Sequence, residues 1–224
     1  MSIVNKDNLK VKILEEVKRE PYILNDLSAE ARDDKDIVLE AVEQKGWMLG
    51  YASERLQNDK DVVLEAIKKN GLALEYASEK LRDDKDVILK AVKQNGLALE
   101  YASEKLRDDK DVVLEAVKHD GIALMYASEE LQDDKNVVLE AVKQYGRALQ
   151  FASEKLQNDK DVVLEAVKQN EWALQFASEE LRIDKDIQIA AGIIEPSIDD
   201  VIADAKKWCA EHNTPSSGKM ELER

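Results

Sequence analysis

A 25-residue period runs through most of the 224-residue chain and restricts it to folds built by stacking one small unit. Asp36, Asp61, Asp86, Asp111, Asn136, Asp161 and Asp186 fall in register. Leu39, Leu64, Leu89, Leu114, Leu139 and Leu164 form a second column, and Gly46, Gly71, Gly96, Gly121 and Gly146 a third, which Glu171 breaks. Tyr51, Tyr76, Tyr101, Tyr126, Phe151 and Phe176 form an aromatic column. Six near-identical units thus cover residues 36–185. A worn copy precedes them, with Leu14, Val17, Pro21, Tyr22, Leu24 and Ser28 matching Leu39, Val42, Gly46, Trp47, Leu49 and Ser53. A second worn copy starts at Asp186 and decays after Ala191.

Each unit reads as a helix, a tight break, a shorter helix and a short turn. In residues 58–82 the expected N-cap is Asn58, with Asp61 three places on as its capping-box partner. The equivalent caps are Asp33, Asp83, Asp108, Asp133 and Asn158, and Ile183 departs from the series. Lys68 and Lys69 suit the negative end of the helix dipole. Gly71 is expected to end that helix in the left-handed conformation. The second helix is expected over Leu72 to about Ala77, after which Ser78 caps a turn containing Leu81. Strand is a poor alternative, because the apolar spacing lacks period two and Ala, Glu, Lys and Leu dominate.

Val62, Val63, Leu64, Ala66 and Ile67 make the first helix apolar around most of its circumference, and Leu72, Ala73, Leu74, Tyr76 and Ala77 do the same for the second. So wide an apolar band needs neighbours on two sides, which adjacent units supply. The expectation is an all-α solenoid of stacked two-helix repeats with a capping helix at each end. At about 8–10 Å per layer, roughly eight layers extend to about 70 Å. Residues 1–35 form the N-terminal cap and worn repeat, 36–185 the regular array, 186–212 the second worn repeat and capping helix, and 213–224 a flexible tail. Ser197 and Asp200 are spaced as a capping box for that last helix, whose Ile198, Val201, Ile202, Ala205 and Trp208 share one apolar face.

The run Asp-Lys-Asp-Val-Val-Leu-Glu-Ala-Val-Lys-Gln-Asn, followed by Gly-Leu-Ala-Leu-Glu-Tyr-Ala-Ser-Glu-Lys-Leu-Arg, closely resembles the repeat family named domain of unknown function 4116. The resemblance covers about 150 residues in six units. It implies tandem helical repeats of a kind found in bacterial, protist and large-virus proteins, secreted effectors among them. It brings no catalytic residue and no cofactor.

Charge narrows the partners. A net charge of −15 repels nucleic acid and anionic membranes, so direct binding to either is not expected. One cysteine, Cys209, rules out an intramolecular disulfide and fits a reducing compartment. The N-terminus lacks an apolar signal core, and no run of 18 apolar residues occurs. The chain is therefore expected in the cytoplasm, or in another cell after delivery by specialised secretion.

No residue set points to catalysis, a cofactor or a metal, and the chain is not expected to be an enzyme. His119 and His212 are isolated in sequence and read as surface residues. Cys209 has no activating neighbour other than His212 and reads as buried in the capping helix. The recurring Asp-Lys pairs at Asp34, Asp59, Asp84, Asp109, Asp134, Asp159 and Asp184 lack calcium-loop spacing, and read as capping and inter-repeat ion pairs.

The columns that vary are the candidates for recognition. The first position after the glycine runs Trp47, Leu72, Leu97, Ile122, Arg147, Trp172. Three places later come Gly50, Glu75, Glu100, Met125, Gln150 and Gln175. These columns form parallel stripes on one face. Trp and Arg are enriched where interfaces concentrate their energy, although the first column could equally pack against the adjoining turn. The expected role is a protein-interaction module, with the partner protein and the oligomeric state left open. The alternative is an acidic nucleic-acid mimic that inhibits a basic nucleic-acid-binding protein. Residues 36–185 carry 32 acidic and 22 basic side chains, a net of −10, but lysines break that charge at fixed positions.

Overall fold

The structure, a computed structural model, describes residues 6–212, with side chains described from 8 to 211. The expected tail at 213–224 and the side chain of His212 lie outside the described residues. Among the described residues there are sixteen α-helices, seven 3-10 helices and no strand. The all-α solenoid holds, but its unit has three pieces rather than two. One unit comprises the long helix Lys60–Lys69, the 3-10 helix Gly71–Tyr76 and the short α-helix Glu79–Arg82. The worn N-terminal copy is a complete unit, with Lys6–Arg19, Pro21–Asp26 and Ala29–Arg32 in the same order.

Two local expectations are corrected. The N-cap of the long helix is Asp59, not Asn58: its carboxylate accepts from the Asp61 and Val62 amides. Asp34, Asp84, Asp109, Asp134, Asp159 and Asp184 do the same for their helices. Asn58 instead closes the preceding short helix, and its side-chain oxygen accepts from Ser78 Oγ at 2.7 Å. The column of Asp33, Asp83, Asp108 and Asp133 does likewise for Ser53, Ser103, Ser128 and Ser153. Ile183 therefore costs the last long helix no cap, since Asp184 supplies it.

The glycine column, secondly, is not left-handed. The long helix ends through an extended residue, Asn70 at φ −154°, and among the described residues only Gly192 has a positive φ, at 69°. What the column needs is the absence of a side chain. A Cβ on Gly71 would lie 2.6 Å from the Ala91 carbonyl oxygen of the next long helix, and one on Gly121 would lie 2.3 Å from that of Ala141. Glu171 is tolerated because the next long helix, Lys185–Ala190, stops before reaching the matching position. Gly192 closes that helix: its amide donates to Ile189 O, and the Ile193 amide donates to Gln188 O. This is the left-handed glycine ending expected of a helix whose C-terminus has no further unit stacked on it.

Long helices pack in sequence against one another, as do the 3-10 helices, and each long helix from Lys35–Gln44 to Lys160–Gln169 touches the 3-10 helix of its own unit and of the unit before. Val62, Val63, Ala66, Ile67, Ala73, Leu74, Ala77 and Leu81 are buried in this double row, and the other regular units repeat the pattern except at Leu174, which is half-buried. Leu64, Leu72 and Tyr76 are only half-buried and pack against its edge.

Two polar ladders run along the stack. The Ser53 amide donates to Arg32 O at 2.9 Å, and the five serines up to Ser178 repeat this contact. Lys35 bridges to Asp59 at 2.8 Å and Asp61 at 3.2 Å, one unit away. The series begins at Lys10 with Asp34 and continues through Lys60, Lys85, Lys110, Lys135 and Lys160, so the expected inter-repeat ion pairs form. A buried large aliphatic residue contributes about 1.5–3 kcal/mol, whereas a partly exposed ion pair contributes about 0–1 kcal/mol. Core burial therefore holds the stack, and the ladder fixes the offset between units.

The final helix, Ile198–His212, opens with the expected capping box: the Ser197 amide donates to Asp200 at 2.7 Å and the Asp200 amide to Ser197 Oγ at 3.4 Å. Its apolar face does not cover the stack. Ile198 is 73% exposed and Trp208 60% exposed, and Cys209, expected to be buried, is exposed as well.

Candidate binding face

A 3-10 helix has three residues per turn, so positions three apart eclipse one another. In Gly71–Tyr76 that geometry puts Leu72 and Glu75 on one edge, while Ala73 and Leu74 turn into the core. The two variable columns are thus the outward edge of the 3-10 row, and the row brings successive units side by side. Leu72, Leu97, Ile122 and Arg147 are half-buried, and Glu75, Glu100, Gln150 and Gln175 are exposed. Met125 is 43% exposed and Trp172 67% exposed. Trp47 is half-buried, with its ring centroid 5.3 Å from that of Tyr22 and 6.2 Å from that of Tyr51.

The aromatic column belongs to the same face. A Cβ on Gly50 would meet the Tyr76 ring at 2.8 Å, so the ring of one unit lies over the outer edge of the unit before. Arg147 follows that rule at the other end, with its guanidinium 5.8 Å from the Phe176 centroid. Gln150 and Gln175 fold back to donate to the carbonyls of Arg147 and Trp172, at 3.1 and 3.0 Å. Period counting alone missed these rings as face residues. The three-residue step between Leu72 and Glu75, with Tyr76 adjacent, was the available signal.

The character of the face changes along the array. Tyr22, Trp47 and Tyr51 make its first part aromatic. Its middle carries Glu75 and Glu100 beside Tyr76, Tyr101 and Tyr126. Burial, then the neighbouring carboxylates, push the hydroxyls of these three tyrosines above their usual pKa. Arg147, Gln150, Trp172 and Gln175 end the face without a carboxylate in either column.

Other surfaces are more uniform. Hollows of 580 and 550 Å³ open between successive short helices, the first lined by Glu79, Arg82, Tyr101, Ser103, Glu104 and Arg107. One of 440 Å³ lies between the long helices Lys60–Lys69 and Lys85–Gln94. His119 stands alone on the surface, 3.8 Å from Glu115. Among the described residues no group of three or more His, Cys, Asp or Glu side chains is placed to hold a metal ion, and no helix is long and apolar enough to cross a membrane.

The sequence pattern of the domain of unknown function 4116 matches residues 34–82, 59–107, 84–132, 109–157, 134–182 and 159–191. The chain belongs to this family. Each full match spans two units and starts on an N-cap aspartate, so the domain of unknown function 4116 is, in this fold, a stacked pair sharing one Lys–Asp rung. The last match reaches residue 191, where the last long helix has just ended. No curated protein and no solved structure matches the chain.

Proposed function

We propose that this chain is a non-enzymatic protein-interaction module that binds another protein along the outward edge of its 3-10 row. One observation carries the reading: two columns that vary from unit to unit, the position after the glycine and the one three places later, both stand on that edge. Core, cap and ladder positions stay nearly constant around them. A rigid scaffold with a variable, partly apolar edge suits extended recognition, and the gradient from aromatic through acidic to Arg/Trp would fix a partner's direction. The acidic-mimic alternative is disfavoured, because lysines of the Lys–Asp ladder stand between its carboxylates and leave no phosphate-like row. The proposed setting is the cytoplasm, or another cell after delivery.

Affinity capture with the full chain, read by mass spectrometry, tests the module. Trp172→Glu should weaken capture of a specific protein by about 30-fold or more, the scale of an interfacial Trp, with helical circular dichroism unchanged. Trp47→Glu should also lower the unfolding midpoint, since its ring packs on Tyr22 and Tyr51. Equal capture by wild type, Trp172→Glu and a Glu75→Lys/Glu100→Lys pair would sink the assignment to this face.

A further inference from the structure

The middle of the 3-10 edge sets carboxylates among aromatic rings. The ring of each unit lies over the outer edge of the unit before, as the Tyr76 ring does at Gly50. After burial, the Glu75 carboxylate raises the hydroxyl pKa values of Tyr76 and Tyr101, and Glu100 raises those of Tyr101 and Tyr126. Each carboxylate thus stands between the ring of its own unit and that of the next. Both glutamates are exposed. The ladder aspartates are paired with lysines, but neither glutamate joins an ion pair among the described residues. Arg82 and Arg107 line the hollow beside Tyr101, where Glu79 and Glu104 balance them.

The far end of the same edge shows how a cation is seated there. The Arg147 guanidinium lies 5.8 Å from the centroid of the next unit's ring, Phe176. Around it the places of Glu75 and Glu100 are taken by Gln150 and Gln175. Where the first column holds Leu72 and Leu97 instead, the carboxylates follow. No unit carries both the cation and the carboxylate.

A carboxylate flanked by rings suits arginine, whose planar fork bonds carboxylates bidentately and whose flat surface stacks on aromatics. The two stations are one unit apart, about 8–10 Å by helix spacing. A polyproline II chain rises about 3.1 Å per residue with three residues per turn, so side chains three apart point the same way about 9 Å from each other. We infer that Glu75 and Glu100, with the rings of Tyr76, Tyr101 and Tyr126, bind two arginine side chains three residues apart in an extended segment of another protein. This rests on the outward edge being the binding face, and names what its middle takes.

Fluorescence anisotropy with the full chain and labelled, proline-spaced peptides at low ionic strength tests this. The peptide with two arginines three apart should bind about fivefold tighter than its isomer with adjacent arginines, which reaches one carboxylate only; fivefold is the scale of one exposed ion pair. Glu75→Gln/Glu100→Gln should weaken the first peptide about 25-fold, with helical circular dichroism unchanged, and Glu79→Gln/Glu104→Gln less than twofold. Equal binding of the two isomers, or an equal loss from both glutamate pairs, would reduce the effect to diffuse attraction by an acidic chain and overturn the inference. Binding of neither peptide would overturn it too. The wider face survives those failures if Trp172→Glu still releases the captured protein, whereas retention of that protein by Trp172→Glu strikes the face itself.

Discussion

Gly121→Ala is expected to destabilise the stack by about 2–3 kcal/mol, at the upper end of ordinary overpacking, and to lower the unfolding midpoint by roughly 5–10 °C. The added methyl meets the Ala141 carbonyl oxygen at 2.3 Å and the Tyr145 Cβ at 2.9 Å. The first contact is helix backbone, which cannot rotate away. The 3-10 helix Gly121–Tyr126 would have to back off the next long helix, opening the contact that buries Ala123 and Leu124. An ordinary helix-ending glycine would behave differently, since its substitution cost lies in its own dihedrals. Because repeat arrays couple mainly to nearest neighbours, hydrogen exchange should rise first in residues 121–145. Glu171→Ala is the control: that position is exposed and should move stability by no more than about 0.5 kcal/mol. Equal midpoints for wild type and Gly121→Ala would show that the close approach constrains nothing. Pro21 carries a Cβ at the matching place in the first unit, so the constraint belongs to the regular units.

Acid should undo the array more than any single surface change. All seven N-cap aspartates, from Asp34 to Asp184, have pKa values below the ordinary 3.8. For Asp34, Asp59, Asp109 and Asp159 burial pushes upward, but the ladder lysine and the helix amides together outweigh it. For Asp84, Asp134 and Asp184 the lysine hydrogen bond is the strongest influence. The unfolded chain therefore takes up protons first as pH falls. The caps' stabilisation is whole above about pH 4–5, and is lost progressively as pH drops through 3.8 and below. Relief of the −15 net charge acts the other way nearer neutrality, so the steep loss should begin only below about pH 4. On the alkaline side Lys35, Lys60, Lys85, Lys135 and Lys160 are raised above 10.5 by their aspartates. Their contribution is present below that pH and disappears as pH rises past it. Thermal midpoints from pH 2 to 11 should trace a plateau with both shoulders. Asp109→Ala should cost about 1 kcal/mol on that plateau, and the difference from wild type should shrink in acid. A midpoint flat from pH 6 to 3 would dismiss the caps and ladder as stabilising devices.

Much of this molecule is legible from its period. The columns at Val62, Val63, Ala66, Ile67, Ala73 and Leu74 announce the core because a 25-residue repetition of apolar positions has no other physical use. The Asp-Lys pairs announce inter-unit bonding because carboxylates and lysines alternate at fixed places. Asn58 against Asp59 was a choice between adjacent cap formers. It turned on where the short helix before them ends, which depends on its packing and on Ser78. The glycine column was legible as a requirement but not as a reason: the sequence carries no sign that the Ala91 carbonyl lies 2.6 Å away.

Sequence alone determined the helical stack, its unit length, the six regular units, the capping box at Ser197 and the variation in the two columns after the glycine. All of these follow from residue type and spacing along the chain. Tertiary structure decided that the second segment is a 3-10 helix, that its three-residue turn aligns Leu72 with Glu75, and that aromatic rings bridge units on that edge. It also decided that the last helix leaves its apolar face in solvent. These depend on how close neighbouring units come, a distance set by packing across 20 to 25 residues of chain and not by any local preference.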